Sequence, residues 1–280
     1  MTNERALVIG GGGVAGIAWV TGVLAGLADA GADVTDADFL LGTSAGSAVG
    51  AQVTSGVELS ALFQAQVDPA LQREELKPRE GALLEVFEFG EKVDAEVSDP
   101  VERLRRMGEM ARAADTVTEA ERRPVIEARL PSHTWPDRNL SVVAVHATTG
   151  ETRLFDRASG VGLVDAVTAS CAIPGVWPAA TIGDARYIDG GIRSFTNLDL
   201  AAGYARTLVI APMPDPVLDA DAASIAEHGG RIEVITPDEA ALDAFGTDPL
   251  SPASRTPAGH AGYAQGRAAA QAVIALWNGA

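Results

Sequence analysis

Short apolar runs that stop at glycine alternate with helical stripes along the first part of the chain. Ala6–Ile9 is one such run and predicts a buried strand feeding a turn at Gly10. The apolar spacing from Ile17 to Ala30 predicts a helix that closes at Gly31. Phe39–Leu41 repeats the strand pattern, again followed by glycine, and Ala45 to Val53 follows as a second helix. Repetition of strand, tight turn and helix is the pattern of a parallel sheet covered on both faces. The expected fold class is therefore α/β: a three-layer sandwich around a mostly parallel central sheet.

The pattern changes in the middle. Residues 73–129 hold 26 of the 59 charged side chains in a fifth of the length, which marks a charged helical segment. Leu104, Met107, Ala111 and Ala114 share one helical face there, with arginines around the rest. Such a helix suits either a solvated outer layer or a mobile cover, so residues 60–135 are expected to form a helical cap or lid on a single domain spanning 1–280. Strands return at Leu140–Val145 and Thr152–Phe155, separated by the turn Thr148-Thr149-Gly150. Val164–Ile173 reads as a helix up to Pro174, Arg186–Ile188 as a strand running into Asp189, and Leu208–Ile210 and Ile232–Ile235 as buried strands. Thr236-Pro237-Asp238-Glu239 predicts a capping box, and Gly259 to Trp277 a terminal helix.

Charge narrows the partners. The 280 residues carry 21 basic and 38 acidic side chains, a net charge of −17, and only Lys77 and Lys92 are lysines. No basic stripe is present to neutralise phosphates, so no nucleic-acid partner is expected. Polyanionic membrane surfaces are expected to make at most transient contact. The uncharged stretch Ala6–Ala28 is long enough to span a bilayer. Its four consecutive glycines and the preceding Glu4 favour a soluble protein instead. One cysteine, Cys171, suits a reducing cytoplasm and leaves no disulfide framework. No metal-ligand spacing occurs, and neither a metal nor a cofactor is expected.

Three motifs carry candidate chemistry. Gly42-Thr43-Ser44-Ala45-Gly46 is a G-x-S-x-G sequence directly after a strand and before a helix, the context of a nucleophile elbow. Gly11-Gly12-Gly13-Val14-Ala15-Gly16 offers backbone amides to an anion, either a phosphate or the oxyanion of a tetrahedral intermediate. The same string fits a dinucleotide fingerprint, but the next strand runs into Gly42-Thr43-Ser44 rather than into the acidic residue that a ribose requires. Asp189-Gly190-Gly191 places a carboxylate between a strand and two glycines. A triad of Ser44, Asp189 and His260 has the chain order of α/β-hydrolases. However, His260 stands isolated at the start of a helical run. Cys171 is read as a small buried side chain, and Trp135 and Trp177 as packing residues beside proline-containing loops.

Together the motifs resemble the patatin-like phospholipase family, whose members combine a glycine-rich oxyanion loop, a G-x-S-x-G nucleophile and an Asp in D-G-G or D-G-A. Ala169-Ser170-Cys171-Ala172-Ile173-Pro174 is similar to the family's A-S-x-A-x-P segment, Gly22-Val23-Leu24 to its G-V-L, and Asn197 to a recurrent asparagine. The resemblance covers about residues 6 to 200. It implies a serine acyl hydrolase acting on carboxylic ester bonds of lipids, with Ser44 and Asp189 as a catalytic dyad. Gly11, Gly12 and Gly13 are implied as the oxyanion hole, and Gly16, Gly42, Ala45, Gly46, Gly190 and Gly191 as supporting positions. Many members carry Arg or Lys where Ala15 stands, which removes one cation from a phosphate-bearing substrate. The alternatives are a non-catalytic acyl- or lipid-binding protein and a nucleotide-binding protein that uses the glycine loop.

Overall fold

The computed structural model describes residues 4–279. In chain order its elements begin with β1 (Arg5–Ile9), α1 (Gly13–Asp29), β2 (Phe39–Thr43), α2 (Ala45–Val53) and α3 (Leu59–Val67). The charged middle supplies α4 (Ala82–Glu96), α5 (Pro100–Ala113) and α6 (Glu119–Arg129). Then come β3 (Leu140–His146), β4 (Thr152–Phe155), α7 (Leu163–Ser170), β5 (Ala180–Ile182) and β6 (Ala185–Asp189). The chain ends with β7 (Arg206–Ile210), α8 (Leu218–Glu227), β8 (Arg231–Ile235), α9 (Glu239–Phe245) and α10 (Arg255–Asn278).

The strands form one sheet in the order β5-β6-β3-β2-β1-β7-β8, with β4 on β3. β3, β2, β1, β7 and β8 run parallel, whereas β4, β5 and β6 join through antiparallel pairs. This is the expected α/β class. Alternate residues of each central strand enter different cores, because successive side chains of a strand point to opposite faces. Leu7, Ile9 and Leu40 pack with residues of α1, α2 and α10, while Ala6, Val8 and Leu41 pack with Leu218 and Ile225 of α8. A third cluster joins Val86 and Val93 of α4 and Leu104, Met107 and Ala111 of α5 to Val145 and Ile188. The apolar face of α5 is therefore turned inward against β3 and β6.

One register decides where the site lies. Val142 and Val143 pair with β2 and with β4, so these two neighbours occupy opposite edges of β3. Ala144 and Val145 pair with β4 and with β6, which puts β6 on the same edge as β2. β2 ends with Thr43 opposite Val143, and β6 ends with Asp189 opposite the next residue, Ala144. The two strands therefore run toward each other, and their C-terminal ends meet.

Several boundaries differ from the sequence pattern for physical reasons. α1 begins at Gly13 and not at Ile17, since packing of Gly16 against Pro212 and Ala45 outweighs the poor helix propensity of glycine. α7 stops at Ser170, because residues 170–172 are drawn into hydrogen bonds with the ends of β2 and β6. Thr236 does not cap α9. Asp238 does, its carboxylate accepting from the Ala241 amide at 2.9 Å. A full capping box forms instead at α6, between Thr118 and Glu121. The weak strand β5 and helix α8 carry no strong period and escaped the pattern.

α1, buried from Val14 to Leu27, lies against α10 at backbone contact. A Cβ added at Gly262 would stand 2.1 Å from the Trp19 carbonyl oxygen, a clash that only separation of the helices relieves. Gly262→Ala is therefore expected to cost about 2–3 kcal/mol of stability, read from the urea-unfolding midpoint.

Candidate active site

The nucleophile candidate stands where β2 turns into α2. Ser44 has φ 52°, a left-handed conformation that non-glycine residues rarely adopt, so the turn is held in strain by its surroundings. The turn is tight enough that a Cβ on Gly46 would lie 2.0 Å from the carbonyl oxygen of Ile9. Glycine at this position is what lets the elbow sit on β1.

Ser44 Oγ donates to Asp189 Oδ2 at 2.6 Å. Both residues are buried, at 7% and 2% exposure. The other carboxylate oxygen accepts the Gly191 amide at 2.7 Å. Burial pushes the pKa of Asp189 up from 3.8 to about 7, against the opposing effects of the Ser44 and Gly191 hydrogen bonds and the Arg122 charge. A carboxylate of this basicity, in direct contact with a serine hydroxyl, has the geometry and the pKa of a general base working near neutrality.

A second layer of bonds fixes the pair. Ser170 Oγ accepts the Ser44 amide at 2.9 Å, and Cys171 Sγ and Ser47 Oγ donate to the Ser44 carbonyl. The Ala172 carbonyl accepts the Asp189 amide at 3.0 Å. The segment 170–172 thus holds both partners at once. Asn197, fully buried, donates to Thr43 Oγ1, Gly190 O and Ser194 O, clamping the end of β2 to the turn after Asp189. Cys171 itself is buried, and burial raises its thiol pKa, as suits a packing residue and not a nucleophile.

The glycine loop faces this pair. A cavity of ≈ 80 Å³ is lined by Gly11, Gly12, Gly13, Ser44 and Asp189, with apolar walls that include Leu83, Val86, Phe87 and Phe195. The three loop amides are not equivalent. Gly11 N–H is donated to the Phe195 carbonyl at 2.8 Å, whereas no such backbone acceptor meets Gly12 or Gly13 among the described residues. Gly16 and Ala45 sit one step back, at the starts of α1 and α2.

His260 is exposed on α10, edge-on to Phe63, and lines neither this cavity nor the one that adjoins it. The structure therefore does not bring it to Ser44. Trp135 packs against the core and donates to the Val161 carbonyl, while Trp177 lines the adjoining cavity. Sequence reading passed over Arg122, which also lines that second cavity. A signal was present, since Arg122 shares one α6 face with Ile126 and Arg129 at helical spacing.

A family model described as patatin-like phospholipase matches residues 7–202. The chain belongs to the patatin-like phospholipase family. That family comprises hydrolases of lipid esters, and the matched span contains all three motifs together with α4, α5 and α6. Among solved structures, VipD from Legionella pneumophila shares the fold, with a TM-score of 0.50 at 14% identity over 98% of this chain and 67% of that one. The type III effector protein ExoU gives a TM-score of 0.45 at 14% identity, over 97% of this chain and 53% of that one. This patatin-like chain thus spans about two thirds of the length of the first and about half of the second. No curated protein matches it significantly. Among the described residues, no helix is long and apolar enough to cross a membrane.

Removing the Ser170 hydroxyl leaves the buried Ser44 amide without its acceptor. Ser170→Ala is expected to lower stability by about 1–3 kcal/mol, measured by chemical denaturation, with Cys171 still buried and unreactive to thiol reagents in the native state.

Proposed function

We propose that this chain cleaves carboxylic esters of lipids through a Ser44–Asp189 dyad. The observation that carries the reading is the 2.6 Å hydrogen bond between the two side chains, on the floor of an apolar cavity beside unengaged glycine amides. Asp189 takes the proton from Ser44 Oγ as that oxygen attacks the ester carbonyl. The amides of Gly12 and Gly13 receive the oxyanion, while Gly11 shapes the loop through its own bond to Phe195. Collapse breaks the ester C–O bond, and the leaving alcohol takes the proton from Asp189. Water, deprotonated by the same carboxylate, then attacks the acyl-serine and releases the fatty acid, returning the proton to Ser44.

The acyl chain fits the apolar wall, of which Leu83, Val86 and Phe87 belong to α4. On this reading the chain works as one hydrolase domain, and residues 60–135 cap its pocket. Phe87 and Leu84 are 45% and 61% exposed, so the rim of the cap offers an apolar contact for a lipid surface that the acidic remainder of the protein does not.

The test is labelling with a fluorophosphonate probe and an assay on p-nitrophenyl esters. Labelling is expected in the native protein and in His260→Ala, and absent in Ser44→Ala. Asp189→Asn is expected to lower kcat/KM by about 100- to 10,000-fold. Since the base must be ionised, kcat/KM in the native protein rises with pH through a midpoint near 7 and levels off above it. Absence of labelling and turnover in the native protein points to a lipid-binding protein.

A further inference from the structure

Arg122, on α6, lines a small cavity that adjoins the catalytic one, the two sharing Ser44, Gly13, Ile173 and Leu250. It is 4% exposed, its guanidinium lies over the Trp177 ring at 3.8 Å from the centroid, and Nη1 is buried with no hydrogen bond among the described residues. The small cavity measures ≈ 20 Å³. That is space for about one water molecule and for no larger anion. An uncompensated guanidinium in the interior is costly, so its counter-charge must come from the protein.

The titratable groups around Arg122 leave one candidate. Arg129, two turns along α6, adds like charge. Cys171 is buried, and burial pushes its thiol up, so it stays neutral. Glu75 is ionised but committed: Arg129 and Arg255 each bond it at 2.6 Å. Asp189 remains. It is 2% exposed, forms no ion pair among the described residues, and bonds Ser44, which lines the same small cavity. Each of the two charges favours the charged form of the other. Burial pulls the pKa of Arg122 down to about 9, which leaves it cationic at neutral pH.

We propose that Arg122 is a positioning residue of the reaction: it is the counter-charge, held out of contact, that keeps Asp189 a carboxylate in the resting site. The proposal rests on the dyad reading of Ser44 and Asp189. Separation matters to the chemistry. A guanidinium bonded directly to Asp189 would compete for the oxygen that Ser44 uses and would make the carboxylate too weak a base. A cation that only lines the neighbouring cavity leaves both oxygens to Ser44 and Gly191, yet opposes the burial that favours the protonated acid. When Asp189 takes the Ser44 proton, negative charge passes to the oxyanion at Gly12 and Gly13, and Gly13 also lines the Arg122 cavity. The charge therefore moves within the surroundings of the cation and not away from it. Stacking on Trp177 fixes the guanidinium without consuming its charge.

The experiment titrates Asp189 in Arg122→Met, which keeps an extended side chain over Trp177, and in Arg122→Lys, which keeps the charge. Loss of the cation favours the protonated acid. In Arg122→Met the carbon-13 midpoint of the Asp189 carboxyl and the midpoint of kcat/KM on a neutral p-nitrophenyl ester are both expected to rise by about 0.5–1 pH unit. Below the midpoint that is about a 3- to 10-fold loss of kcat/KM, recovered above the new midpoint. Arg122→Lys is expected to hold both midpoints near the native ones. A packing role alone would lower activity at every pH and leave the midpoints where they were. That result overturns the proposal, as does a shift that lysine fails to reverse. The carboxyl resonance needs no turnover, so if the native protein neither labels nor hydrolyses, the dyad reading fails while the dependence of Asp189 on Arg122 is still read. Should Arg122→Met not fold, the native protein decides. Its Arg122 Nε nitrogen-15 resonance is expected to move through the Asp189 midpoint and to stay flat over that range in Asp189→Asn. A resonance indifferent to Asp189 contradicts the pairing.

Discussion

A carboxylate buried against a single hydroxyl is the constraint around which the rest of the site is arranged. Among the described residues, Asp189 forms no ion pair, and its oxygens accept hydrogen bonds only from Ser44 and the Gly191 amide. Water would solvate the ionised form better than these two donors do, which is why burial lifts its pKa to about 7. The folded value lies above the unfolded one, so folding favours the protonated form. Stability contributed by the neutral acid is therefore complete below about pH 4 and is lost as pH rises through about 7. A carboxyl that stayed fully solvated would be stable and too weakly basic to take a proton from serine. Rigidity around the pair is what sustains the costly arrangement: the left-handed Ser44, the 170–172 segment that grips both partners, and the Asn197 clamp.

The same arrangement explains the electrostatic design. The chain is strongly acidic, yet Arg122, Arg129 and Arg255 are buried near the site, and the last two share one carboxylate, Glu75. Burial alone would raise the pKa of Glu75, but the charges and hydrogen bonds of Arg129 and Arg255 hold it below the usual carboxylate range. That network ties the loop before α4 to α6 and to the first turn of α10, linking the charged middle of the chain to the hydrolase core. The helices of residues 82–129 are therefore not only a solvated layer: α4 walls the apolar cavity, and α6 carries Arg122 into the polar one.

Much of this was legible before any coordinates, and for identifiable reasons. The elbow and the loop announce themselves because backbone contact requires glycine at positions such as Gly46, and the strands β1, β2 and β7 because both their faces are buried. The meeting of Ser44 with Asp189 was not legible from local pattern, since they lie 145 residues apart and are brought together by the shared edge of β3. Family resemblance supplied that pairing, and the register supplies its cause. The engagement of the Gly11 amide by Phe195 was likewise hidden, because the acceptor comes from a distant turn. Arg122 differs from Arg123 only in the helix face it occupies, and that face is apparent once Ile126 is known to be buried.

The most direct test is the ionisation of Asp189 itself, followed by carbon-13 NMR of the labelled carboxyl across pH in the native protein and in Ser44→Ala. A midpoint near 7, moving higher when the hydroxyl is removed, is the result the account predicts. A midpoint near 4 that does not respond to Ser44 would show a solvated, uncoupled carboxylate and contradict it.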